Sequence, residues 1–156
     1  MAQLYGLHGN LVHGDTDSVD TALKNPLGTL AFDAANNGYI YLTGVASTVA
    51  GSWVSFDEAH LTTLLVANAK GRVGVAMAAT VASRYGWYQV FGKNTIALAL
   101  AAFADNGLIY STATAGSIDD AVVAGDLVLN AMGRSAVSGG VITVELNFPF
   151  ATDALG

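Results

Sequence analysis

Apolar residues alternate with small or polar ones at a period of two along most of this chain. The clearest instance is Arg84-Tyr85-Gly86-Trp87-Tyr88-Gln89-Val90-Phe91-Gly92-Lys93. As a strand, it carries Tyr85, Trp87, Gln89 and Phe91 on one face and Gly86, Tyr88, Val90 and Gly92 on the other. The first face is nearly all large rings, so Tyr85, Trp87 and Phe91 are expected in the core or in a subunit contact. Two glycines on the opposite face predict a close backbone approach, or a bulge, beside Tyr88.

The same grammar runs on both sides of this stretch. Thr29 to Ala34 and Tyr39 to Thr43 read as two strands around Asn36-Asn37-Gly38, where Asn37-Gly38 tolerates the positive φ angles of a hairpin. A strand is expected from Ser52 to Phe56. Asp57 then caps a short helix on which Leu61, Leu64 and Leu65 share a face, with Asn68 to Gly71 as its end. Because Thr62, Thr63 and Val66 suit strands equally, a hairpin turning at Asn68 to Gly71 is the alternative. Arg72 to Ala79 alternates Val73, Val75 and Met77 with Gly74, Ala76 and Ala78, a strand with one face packed and one tightly apposed. Gly92-Lys93-Asn94 is expected to turn the chain into a strand of Ile96, Leu98 and Leu100 alternating with alanines. Further strands follow at Leu108 to Thr112, Leu127 to Met132 and Val141 to Phe148, the last with Ile142, Val144, Leu146 and Phe148 on one face. About eight to ten short strands with turn residues between them predict a mainly β domain, an antiparallel sandwich or barrel.

Residues 1 to 27 break the pattern. Leu4, Tyr5, Leu7, Leu11 and Val12 are interleaved with glycines and followed by an acidic run from Asp15 to Asp20. This segment is either a first strand with a loop or an extended arm that orders on a neighbour. On the second view, those five residues are the expected contacts with a partner or another protomer. Residues 28 to 156 form the β-rich body.

Composition narrows the function. A chain of 156 residues suits one domain. Its charged fraction of 12% is about half the roughly 25% usual for soluble domains. So few charges imply that other subunits or a large partner cover part of the surface. Net charge is −6 and the cations are scattered, which argues against nucleic acid as a partner. No run is long enough for a transmembrane helix, the start lacks a signal-peptide plan, and there is no cysteine for disulfides, thiolate metal sites or nucleophilic catalysis.

Candidate chemistry is sparse. His8 and His13 are five residues apart, a spacing of neither a helical nor a strand pair, and His60 stands alone, so no metal site is expected. Asp15, Asp17 and Asp20 are close enough to hold Ca²⁺, yet they lack the glycine and distal glutamate of the twelve-residue calcium loop. Asp119 and Asp120 point apart on a strand and read as a polar loop. No nucleophile, base and orienting group stand together, so the chain is not expected to be an enzyme or to need a cofactor.

Taken together, Val73-Gly74-Val75-Ala76, then Tyr85-Gly86-Trp87-Tyr88-Gln89-Val90 with Gly92-Lys93, then Ala113-Thr114-Ala115-Gly116 before Asp119-Asp120, and Val144-Glu145-Leu146 ending at Pro149-Phe150, resemble head decoration (capsid cement) proteins of tailed bacteriophages. The resemblance covers roughly residues 70 to 150. It implies a β-rich structural virion protein, commonly a homotrimer, made in the host cytoplasm. On the outer surface of the capsid it would bridge neighbouring major capsid protein subunits and stabilise the shell. A carbohydrate- or receptor-binding β module, using rings such as Tyr39, Tyr41 or Trp53, is the alternative.

Overall fold

The computed structural model describes residues 2–7 and 11–152. They form thirteen strands and no helix: β1 (Gln3–Gly6), β2 (Leu11–Asp15), β3 (Val19–Asp20), β4 (Leu30–Phe32), β5 (Gly38–Thr43), β6 (Trp53–Phe56), β7 (Thr62–Leu64), β8 (Gly71–Ala76), β9 (Tyr85–Leu98), β10 (Leu108–Ser111), β11 (Ile118–Asp119), β12 (Leu127–Gly133) and β13 (Val141–Ala151). They join one open antiparallel sheet whose main path is β11-β10-β12-β13-β8-β9-β5-β4-β1-β2. The expected mainly β domain is what the chain forms.

Two long strands frame it. The first half of β9 pairs with β5, from Tyr39 opposite Gln89 to Thr43 opposite Tyr85, and its second half pairs with β13, from Val141 opposite Leu98 to Asn147 opposite Phe91. Beyond that point β9 and β13 diverge, and β8 fills the wedge. Arg72 lies opposite Phe150 on β13, while Val75 lies opposite Gln89 on β9. The sheet has buried side chains on both faces, since alternate residues of β5 enter different clusters. One cluster gathers Trp53, Val73, Val75, Phe103, Ile142, Val144 and Leu146. A second gathers Ile40, Leu42, Val54, Phe56, Tyr88 and Val90, and a third Leu4, Ala31, Tyr39, Tyr41 and Trp87. Each fully buried large side chain contributes about 1.5–3 kcal/mol of transfer free energy.

The central aromatic strand follows its alternation, with Trp87 in the third cluster and Tyr88 and Val90 in the second. The close approach expected of its glycines occurs at Gly86, and the bulge falls at Val90, skipped between Gly38 opposite Phe91 and Tyr39 opposite Gln89. A Cβ on Gly86 would lie 2.6 Å from the Thr80 hydroxyl and 3.1 Å from the Ser18 carbonyl, so backbone approaches closely there. Gly92 has φ +88°, a conformation that suits a residue without a side chain. It sits inside β9 as an irregularity, however, and the expected turn at Gly92-Lys93-Asn94 is replaced by one continuous strand of 14 residues.

The helix expected after Asp57 does not form. One Asp57 carboxylate oxygen accepts from the Ala59 and Leu61 amides, and His60 takes φ +63°, which closes a turn instead of opening a helix. The β-branched Thr62 and Thr63 continue into β7, which pairs with β6. The three leucines share no face: Leu65 is buried in the first cluster, Leu64 packs against the second and Leu61 is exposed. A turn does occur around Asn68, but β7 and β8 flank β6 on opposite sides and do not pair with each other.

Pairing of the first residues favours a strand over an arm. β1 lies between β2 and β4, and Leu4 is fully buried beside Trp87 and Tyr41. Leu4 is therefore withdrawn from any partner contact, while Val12 packs against the same cluster and is only partly buried. Tyr5, Leu7 and Leu11 remain exposed, as period-two alternation requires for Tyr5 and Leu11.

Candidate functional site

The exposed part of the first hairpin leads into a row of rings that crosses the sheet. Tyr5 lies opposite Leu11 on one side and Phe32 on the other; Phe32 lies opposite Gly38, Gly38 opposite Phe91, and Phe91 opposite Asn147. Directly opposed residues of an antiparallel pair share a face. Leu11, Tyr5, Phe32 and Phe91 therefore stand in line across five strands.

Gly38 makes the line continuous. A Cβ there would lie 2.8 Å from the Phe32 ring and 2.9 Å from the Phe91 Cβ. Without it, the two rings meet edge to face over the strand, their centroids 6.5 Å apart at 68°. The turn beneath is held by Asp33, whose carboxylate accepts from the Ala35 and Asn37 amides, the Asn37 side chain and the Tyr39 hydroxyl. Burial works to raise the Asp33 pKa, but these donors outweigh it and hold the carboxyl below its ordinary value. The Tyr39 hydroxyl, desolvated and facing that carboxylate, is pushed well above the usual phenol range. Positive φ in this turn falls on Asn36, at +62°, and not on the expected Asn37-Gly38. Gly38 serves the ring contact instead.

At the other end, β13 extends the row. Ile142, Val144 and Leu146 point inward and Glu145 and Asn147 outward, so strict alternation would send Phe148 into the core as expected from the sequence. Phe148 instead adopts φ +52°, and both Asn147 and Phe148 face solvent before Pro149 and Ala151 return to the interior. The Phe148 ring stands 5.6 Å from that of Phe91, tilted by 33°. Left-handed backbone is uncommon for a bulky residue and costs roughly 1–2 kcal/mol. Tyr5, Phe148 and Phe150 are 40%, 47% and 43% exposed, and Leu11 67%. Phe91, expected with Tyr85 and Trp87 in packing, is half-buried and belongs to this surface. Tyr85 is partly buried against the third cluster, and Trp87 lies within it.

The other candidates do not converge. His13 lies 3.8 Å from Asp20, whose second oxygen accepts from the Tyr41 hydroxyl, while His60 packs over Gly28 on another part of the surface. His8 lies outside the described residues. Asp15 and Ser18 close a turn through the Ser18 amide and hydroxyl. Asp120 accepts from the Ala104 amide and Asp119 from the Asp120 amide, so that pair is structural. Among the described residues, no three of His, Cys, Asp and Glu are grouped to hold a metal ion. Tyr39, Tyr41 and Trp53, the rings considered for stacking sugars, are 4%, 0% and 0% exposed and lie in the core. A groove of about 310 Å³ runs beside β12, lined by Leu108, Leu129 and Met132 with the Arg134–Glu145 ion pair at its end.

Sequence reasoning missed Phe32, Phe148 and Phe150. The available signal was Phe148-Pro149-Phe150, two rings around a residue that cannot donate to a ladder and so marks an irregular strand. No family model, curated protein or solved structure matches the chain.

Proposed function

We propose that this chain is a structural protein of a tailed-bacteriophage head, which binds the outer surface of the capsid as a homotrimer and bridges neighbouring major capsid protein subunits. One observation carries the proposal beyond resemblance: a charge-poor chain displays a continuous row of rings, with a bulky residue held in left-handed backbone at its end. Apolar rows of this kind are contact surfaces, because aromatic side chains supply large area at low entropic cost. Catalysis would need converging polar groups, and the row offers apolar area. Three linked copies would multiply a modest contact into stable attachment.

The test is sedimentation. Purified protein is expected to sediment as a trimer and to pellet with phage heads lacking it, and Tyr5→Ser with Phe148→Gly is expected to leave it in the supernatant. A monomer that never pellets with such heads rejects the proposal.

A further inference from the structure

We infer that the aromatic row receives an extended apolar segment of the partner chain, about seven residues long, laid across the strands and not added to the sheet edge. Two independent features of the surface lead there, with the capsid-binding proposal as the premise.

The first is the state of the sheet edge. β2 ends the main path, and an edge strand ordinarily offers free amides and carbonyls to a partner strand. At His13, both groups are taken. The Asn25 side-chain oxygen accepts from the His13 amide at 3.0 Å and the Asn25 side-chain amide donates to the His13 carbonyl at 3.1 Å, so one buried side chain takes both backbone groups of the middle residue of β2. Strand addition along β2 would have to break this pair. Engagement through side chains on the face has no such cost.

The second is size and shape. At about 200 Å² per ring, the exposures of Tyr5, Phe148 and Phe150 leave roughly 260 Å² open. Even doubled to include Phe32, Phe91 and Leu11, the area stays well below the ~800 Å² per partner of a standard protein–protein interface. The rings alone therefore fall short of a standard interface between two folded faces and match the smaller footprint of a single extended segment. The row is also narrow: from β2 to β13 it crosses five strand spacings of about 4.8 Å, roughly 24 Å. An extended segment rising about 3.3 Å per residue covers that distance in about seven residues. Its alternate side chains would meet the rings on either side of the Gly38 crossing.

Photo-crosslinking separates the possibilities. Benzoylphenylalanine is placed at Tyr5 in one variant and at Phe148 in another, each variant is bound to phage heads lacking the protein, and crosslinked peptides are mapped by mass spectrometry. Both ends are expected to crosslink to one stretch of the major capsid protein no longer than about ten residues, while Asn25→Ala leaves head binding unchanged within twofold. Crosslinks from the two ends to widely separated segments overturn the inference while leaving capsid binding intact. So do crosslinks between two copies of this chain, or an Asn25→Ala variant that binds heads tenfold more tightly through a freed edge. Failure of both variants and the parent to bind heads at all rejects the capsid-binding proposal, and the inference falls with it.

Discussion

Replacing Phe148 separates what the fold needs from what the surface displays. The ring is 47% exposed, so about half of its roughly 200 Å² is covered. At about 25 cal/mol per Å², removing it costs ~2.5 kcal/mol. Glycine relieves the left-handed backbone, returning about 1 kcal/mol, so Phe148→Gly should lose ~1.5 kcal/mol. For a chain of this length that is a fall of about 3–6 °C in melting temperature. Phe148→Ala loses the same ring and keeps the strain, so it should be about 1 kcal/mol less stable than the glycine variant. In ordinary strand backbone the order is reversed, since glycine is worse than alanine by about 0.5–1 kcal/mol. Chemical denaturation of the two variants checks the sign directly. An alanine variant more stable than the glycine one would mean that position 148 carries no backbone strain, and a loss above ~4 kcal/mol would make Phe148 a core residue.

Other positions give sharper contrasts. Trp87→Ala should cost about 3–5 kcal/mol, because the side chain is buried in the third cluster. Trp87→Phe should cost much less: the indole nitrogen is buried without an acceptor among the described residues, and removing such a donor recovers about 1–3 kcal/mol; equal losses in denaturant melts would contradict this. Leu4→Ala should cost about 2–5 kcal/mol and Leu11→Ser no more than ~0.5 kcal/mol, so their melting temperatures must differ if alternation sorts the first hairpin correctly. Deleting residues 1 to 14 should accordingly unfold the third cluster. Asp33 has its pKa lowered on folding, so its contribution is whole above about pH 3.9 and fades as pH falls through the folded value. Asp33→Asn should melt below the parent at pH 7 with the gap narrowing below pH 4, and a gap independent of pH would rule the linkage out.

Much of the fold was legible because period-two alternation is enforced wherever both faces of a strand meet fixed surroundings. Trp87 against Tyr88, and Ile142 against Thr143, were sorted correctly by counting. The misses cluster where hydrogen bonding outweighs periodicity. A turn closed by the Asp57 carboxylate replaced the helix, and the short strands β3 and β11, of two residues each, carry no period at all. The aromatic row was hidden for another reason. Tyr5, Phe32, Phe91 and Phe148 are far apart in the chain, and only strand register brings them into line. Register follows from bulges such as the one near Phe148, which sequence alternation cannot anticipate because a single extra residue inverts every face beyond it.

The irregularities also fall in one place. Gly92 on β9 lies opposite Leu146, Asn130 on β12 lies between the residues opposite Phe150 and Leu146, and Phe148 follows Leu146 by two residues. All three have positive φ, at +88°, +59° and +52°, and they surround the point where β9 and β13 part and β8 enters. Bending three strands together lets the sheet branch there, where Val73, Val90, Phe148 and Pro149 line a small half-open cavity of about 40 Å³. Glycine and asparagine are the residues that accept this backbone at least cost. Bending therefore accounts for Gly92 and Asn130, and either residue would serve the bend at 148 equally well. The phenylalanine found there adds a ring against Phe91 and carries the row onto β13. That gain lies on the exposed face, where a partner would meet it.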